Sequence, residues 1–162
     1  MKLKDSNGGE FEFYIQAINK TQAPLKKDGW NFNWKELMGN KKKLFFGLFA
    51  LGELQGLVSL VIQMLGSPMM FMHQIEIAPH NIGGKGRFKS VAGALLAYSC
   101  YQSALLLETS NPYYGYLVFD SKTNLILHYK KYGANQSVGS KMYFSPEAGK
   151  QLMEQYLQDY LN

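Results

Sequence analysis

The sequence predicts an α+β fold on a mixed, mostly antiparallel sheet, and three patterns carry that prediction. First, Phe11, Phe13 and Ile15 alternate with Glu10, Glu12 and Tyr14, the period of a strand with one buried face. Second, the apolar stretch 44–65 is broken by Glu53, Gln55, Gly47, Gly52 and Gly56. It reads as two strands joined by a tight turn. Third, a segment with helical spacing, 91–107, lies between two apolar strands, 70–78 and 116–119. A helix between two strands acts as a crossover and sets them parallel. The rest of the sheet is antiparallel, with helices on both faces.

The elements follow in order. After the first strand, residues 21–33 form a loop containing Pro24, Gly29 and scattered aromatics. A short helix at 34–38 ends at Gly39-Asn40. The hairpin strands are 44–50 and 54–63, with the turn at 51–53. A membrane span is the competing reading of this stretch. An acid near the middle of such a span costs about 2.5–3.5 kcal/mol, so Glu53 favours the hairpin, and no membrane partner is expected. The strand at 70–78 stops at Pro79. In the helix at 91–107, Val91, Leu95 and Tyr98 share one face, and Ala92, Leu96 and Ser99 another. Asn111-Pro112 marks a turn. The run 116–119 is continuously apolar, as in a strand covered on both sides. Residues 123–132 read as a helix with Gly133 just past its end. A strand at 141–144 precedes Ser145-Pro146, an N-cap with proline at the first helical position. The last helix buries Leu152, Tyr156 and Tyr160, with Met153, Leu157 and Leu161 beside them. With no repeat and no linker, residues 1–162 are expected to form one domain.

Composition bounds the function. With 162 residues, 46% hydrophobic and 18% charged, the chain can build a full core and is not of the disordered class. Its net charge of +5 suits an anionic cofactor, nucleic acid or simple solubility. The densest basic run, Lys41 to Lys43, reads as a solvated strand entry, and nucleic acid is not the expected partner. Cys100 is the only cysteine, so an intrachain disulfide is excluded and a reducing, cytoplasmic setting is expected. Its neighbours Ala97, Tyr98 and Ala104 make it a packed thiol rather than a nucleophile. The N-terminal residues lack the apolar core of a signal peptide. No metal site is expected.

The most informative segment is I-E-I-A-P-H-N-I-G-G-K-G-R-F-K-S-V-A-G-A-L-L, residues 75–96. It reads as a strand, a basic glycine-rich loop and a helix. Such a loop presents backbone N–H groups to an anion at a helix N-terminus. Phe88, Lys89, Ser90, Val91, Ala92 and Gly93 would supply those donors. Small side chains at Ser90, Ala92 and Gly93 would allow close approach, and Arg87 and Lys89 would add charge-assisted bonds. A surface loop that binds nothing is the bland alternative. A dinucleotide-binding unit fits less well, because the chain lacks an alternating βαβ run.

The order of elements, with R-F-K-S-V-A-G-A-L-L at 87–96 and H-Y-K-K-Y-G-A at 128–134, resembles the Gcn5-related N-acetyltransferase (GNAT) superfamily over roughly 44–144. Ser90 stands where the first loop glycine is usual, and Ala92 is the alternative at the second. The chain carries an extra H-N-I-G-G-K-G between Pro79 and Arg87. An earlier register at 81–86 leaves its glycines well before the helix, so the later register is preferred. The helical region before the hairpin is reduced.

The resemblance implies a splayed sheet and binding of acetyl-CoA (CoA) by Ile75, Ile77, Arg87, the loop residues 88–93 and Asn124. It implies transfer of an acetyl group to a primary amine by direct attack. Tyr129 takes the position of the general acid, and Glu76, flanked by Ile75 and Ile77, is the candidate base, with His73 as another. For each of these a structural role is the alternative: core packing for Tyr129, a wet sheet face for Glu76, a hydrogen-bonded strand histidine for His73. The acceptor is a small-molecule or macromolecular amine, and a homodimer is compatible. The alternative function is a GNAT-like CoA-binding or interaction module without turnover.

Overall fold

A computed structural model describes Met1–Leu161. Eight strands form one sheet: β1 (Lys2–Lys4), β2 (Glu10–Ala17), β3 (Lys43–Ala50), β4 (Glu53–Leu65), β5 (Ser67–Ile77), β6 (Leu117–Asp120), β7 (Asn135–Gln136) and β8 (Lys141–Phe144). Their spatial order is β1-β2-β3-β4-β5-β6-β8-β7. Every pairing is antiparallel except β5 with β6, as the crossover requires. That crossover is helix α2 (Val91–Leu106), preceded by α1 (Trp34–Leu37) and followed by α3 (Ile126–Lys131) and α4 (Pro146–Tyr156).

The long apolar stretch is the β3–β4 hairpin. Its turn residues Leu51 and Gly52 both have positive φ, 54° and 73°, the primed geometry that matches strand twist. No described helix is long and apolar enough to cross a membrane. Ser145 caps α4 by accepting from Ala148 N–H, with Pro146 at its first position, and Gly133 has φ 98° after α3. Residues 123–125 form a 3₁₀ turn leading into α3, so the expected single helix is shorter. The strands β1 and β7 were not expected: each is too short to show a period.

Parallel pairing between β5 and β6 covers only Met70–Met72 against Leu117–Phe119. Beyond Met72 the two strands part, so the rest of β5 has an unpaired edge toward β6. A bulge accompanies the parting. Leu60 pairs with Met72 but Ser59 with Gln74, leaving His73 as the extra residue. The bulge reverses the side-chain alternation. Met70, Met72, Ile75 and Ile77 consequently all pack on the α2 side, while Glu76 turns to the other face, against Trp34.

The two faces are covered unequally. The first carries α2 and α4 over the main core, centred on Leu60, Met70, Leu95, Leu96, Leu117 and Phe119. The second carries α1 and the preceding loop, whose Trp30 and Trp34 pack with Phe45, Leu57 and Ala78. Over β6 and β8 the second face stays open: Val118 and Tyr143 are half-buried and Lys141 is exposed.

Candidate active site at the parting of two parallel strands

The parting of β5 and β6 opens a cavity of about 300 Å³ on the α2 side, lined by Ile75, Ile77, Phe88, Lys89, Ser90, Val91, Ala92, Leu125, His128, Tyr129 and Tyr132 among others. Most of the loop residues singled out in the sequence therefore face one space. Ser90 is the N-cap of α2 and sits in the left-handed region, φ 72° and ψ 5°, with no side-chain capping bond. Its φ explains why glycine suits this position. The N-terminus of a sixteen-residue helix thus opens on the cavity with its first turn uncapped by a side chain, the arrangement that suits a phosphate-bearing ligand.

Several loop donors are already committed. Phe88 N–H donates to Asn81 Oδ1 at 2.9 Å, and Lys89 N–H to the Lys4 carbonyl at 3.0 Å. The anion donors are therefore to be sought from Ser90 onward, rather than from Phe88. Arg87 lies outside the cavity lining. Its guanidinium is 3.6 Å from Glu53 and stacks over the Phe88 ring; at this exposure the ion pair contributes at most about 1 kcal/mol. Gly93 also faces elsewhere: a Cβ there would lie 2.4 Å from the Tyr156 ring. Its small size seats α4 against α2. Asn124 is exposed and off the lining, where Leu125 takes its place.

A buried polar network fixes the loop from below. Gln55, the extra residue of a bulge in β4, is fully buried. Its amide nitrogen donates to the carbonyls of Ala50 and Glu53. Its Oε1 accepts from Asn81 at 3.0 Å and from His80 Nε2 at 2.7 Å, which assigns the proton to that nitrogen. Asn81 then holds Phe88 N–H. Gly86 is confined beside it, since a Cβ would lie 2.4 Å from the Asn81 carbonyl oxygen. From outside, Ser6 N–H donates to the Arg87 carbonyl. Gln55, Asn81 and the β1 clamp were missed from sequence; the one available signal was a lone glutamine in an apolar strand.

A second cavity of about 580 Å³ opens on the other side of the parting, lined by Asn31, Phe32, His73, Gln74, Glu76, Asp120, Lys122 and Tyr129 among others. Ile75, Leu125 and Tyr129 line both cavities. Tyr129 therefore stands where the two spaces meet, its ring 4.7 Å from that of Phe119. Burial, and secondarily Tyr132, raises its phenol above the usual value, so the hydroxyl keeps its proton at neutral pH.

Glu76 is buried and accepts three hydrogen bonds. Its carboxylate accepts from Asn31 N–H at 2.6 Å, Phe32 N–H at 3.2 Å and Trp34 Nε1–H at 2.8 Å. It anchors the loop that walls the second cavity. His73 is exposed, and its Nε2 lies 3.4 Å from the Gln63 amide. Burial first, then Lys43, lower its pKa against the opposing pull of Asp120, which favours the neutral imidazole. Cys100 is buried away from both cavities, and burial pushes its thiol up to about 12. Among the described residues no cluster of metal-ligating side chains occurs.

Neither family models nor curated proteins match the sequence. Solved structures match by shape. AtaTR bound with AcCoA is 13% identical, with a TM-score of 0.62 over 88% of this chain and 98% of that one. The AtaT–AtaR complex bound to DNA is 14% identical, with a TM-score of 0.63 over 86% and 99%. A ribosomal-protein-alanine N-acetyltransferase from Brucella melitensis biovar Abortus 2308 is 17% identical, with a TM-score of 0.58 over 80% and 96%. FdhC, a nucleotide-linked sugar GNAT, is 16% identical, with a TM-score of 0.57 over 96% and 95%.

Proposed function

We propose that this chain, which has the GNAT acetyltransferase fold, is an acetyl-CoA-dependent N-acetyltransferase of the cytoplasm that acts on a primary amine. The observation that carries the reading is the position of Tyr129, shared by a cavity at an uncapped helix N-terminus and by a second, polar cavity. One space suits a phosphate-bearing cofactor and the other an acceptor. Ser90, Val91 and Ala92 would hold the anionic part of the cofactor, with Lys89 beside them and Ile75 and Ile77 along its arm. When bound, acetyl-CoA supplies the acetyl group and departs as a thiol.

The chain's own groups handle the protons. Tyr129 Oη, kept protonated by burial, is the proton donor to the leaving group. His73, favoured in its neutral form, is a proton acceptor on the amine side. Glu76, the base expected from sequence, has three donors on its carboxylate. Those donors tie the carboxylate to the Asn31–Trp34 wall, so we assign Glu76 the role of holding that wall and give the proton to His73. That engagement is also the one observation favouring a second reading, a cofactor-binding module without turnover.

The test is thermal stabilisation by acetyl-CoA and by free CoA, followed by thiol release with an amine panel. Stabilisation with amine-dependent release supports the enzyme. Stabilisation without release selects the binding module, and no stabilisation by either ligand removes both readings.

A further inference from the structure

We propose that the acceptor is the amino terminus of an extended polypeptide, laid from Tyr129 across the open half of the second sheet face. The inference rests on the acetyl-transfer reading above. Its basis is continuity. The acceptor cavity shares Met72, His73 and Asp120 with a smaller cavity, which shares Leu65, Phe71 and Lys141 with a third. The three form one trough that starts at the site of chemistry and runs over β6 and β8. No wall of α1 or its loop closes it there, because those elements cover the other half of the face.

The chemistry of the trough changes along its length. At the reacting end, Asp120 makes no ion pair among the described residues and offers a counter-charge to an incoming ammonium. The charged and titratable groups facing His73 there are Lys43 from β3, Glu76 on its own strand, Asp120 from β6, Lys122 just beyond it and Lys141 from β8. Farther on, the surface is apolar and aromatic: Phe71, Tyr116, Val118 and Tyr143, with Lys141 as the single cation. A nucleic-acid track neutralises several phosphates with several cations. Lys43 and Lys122 lie only at the reacting end, beside Glu76 and Asp120, and the rest of the trough has Lys141 alone among apolar and aromatic side chains; that does not provide such a track, whereas alternating apolar side chains of an extended peptide fit it.

The span sets the peptide's length. Crossing from β5 to β8 covers two strand spacings, about 10 Å, and running back along β6 adds about 10 Å, so roughly six extended residues fill the trough. Lys141 lies opposite roughly the third of them. In the transfer the terminal amine nitrogen bonds to the acetyl carbon and the carbon–sulfur bond breaks. One N–H proton passes to the His73 imidazole, and Tyr129 Oη gives a proton to sulfur.

The experiment starts with calorimetry of acetyl-CoA binding, then measures thiol release with free-amine peptides of about two to eight residues and their N-blocked counterparts. We expect kcat/KM to rise roughly tenfold from a dipeptide to a hexapeptide, a factor the burial of a few side chains supplies. Val118→Glu should cancel that rise while leaving the dipeptide unchanged. Lys141→Glu, at an exposed position, should reverse the preference from an acidic to a basic third residue. Equal turnover at all lengths overturns the inference. So does preference for a small polyamine or an RNA-linked amine, or release from no peptide at all by a protein that binds acetyl-CoA. Absence of acetyl-CoA binding overturns the underlying acetyl-transfer reading as well.

Discussion

Ser90 is the position where the loop geometry makes its sharpest demand. With φ 72° and ψ 5° it is left-handed, which costs a residue with a Cβ about 1–2 kcal/mol. No side-chain capping bond offsets that cost. Ser90→Gly removes the strain but adds about 0.5–1 kcal/mol of backbone entropy to be lost on folding. The net effect should be near zero or mildly stabilising. Ser90→Val keeps the left-handed backbone and adds a branched Cβ, which we place at about 2 kcal/mol of destabilisation. At roughly 2–4 °C per kcal/mol for a chain of this size, the two variants should differ in Tm by about 5–8 °C. Calorimetry with acetyl-CoA supplies the second readout. The glycine variant should bind like wild type, and the valine variant should lose about tenfold or more as its methyls crowd the N–H groups of the first helical turn. Equal melting of the two variants would refute the left-handed assignment. Loss of affinity in the glycine variant alone would mean that the serine hydroxyl, and not the backbone, makes the contact.

Three further outcomes follow from the packing. Gly93→Ala should destabilise by about 1–3 kcal/mol, since its Cβ would lie 2.4 Å from the Tyr156 ring; denaturant melts of the double variant with Tyr156→Ala should recover part of the loss. Glu76→Gln should cost about 1–3 kcal/mol of stability, because an amide nitrogen then faces a donor, and its rate defect should not depend on pH; a defect that vanishes at high pH would restore Glu76 as the base. Cys100 titrates near 12 when folded against a reference value of 9.0, so the unfolded chain ionises first and stability falls as pH rises from 9 toward 12. Urea melts at about pH 10 should show wild type losing on the order of 1 kcal/mol relative to its neutral-pH value that Cys100→Ala does not lose.

Much of the fold was legible because its elements obey simple periods. The hairpin at β3–β4 announced itself by an acid, a glutamine and glycines inside an apolar stretch, and the parallel pair by the helix between its strands. What the sequence concealed depends on single residues that break the period. The bulge at His73 brings Ile75 and Ile77 to the same face as Met70 and Met72; alternation did place Glu76 opposite those isoleucines, but nothing local revealed the three donors waiting there. Nor could the surroundings of Arg87 and Gly93 be read locally. A basic residue and a glycine beside a phosphate-type loop look alike whether they face a ligand, Glu53 or the Tyr156 ring. Gln55 and Asn81, which hold the loop, meet across twenty-six residues of chain, a distance over which no spacing rule applies. The placement of Tyr129 on a short helix closed by Gly133 was legible because both features are local.

The most direct measurement is acetyl-CoA affinity and amine-dependent thiol release side by side in Tyr129→Phe and wild type. The substitution removes one hydroxyl at the meeting point of the two cavities and leaves the ring against Phe119. The account predicts affinity within about twofold of wild type and a kcat lowered by roughly 10²–10⁴-fold. Release at the wild-type rate, with affinity unchanged, would contradict it.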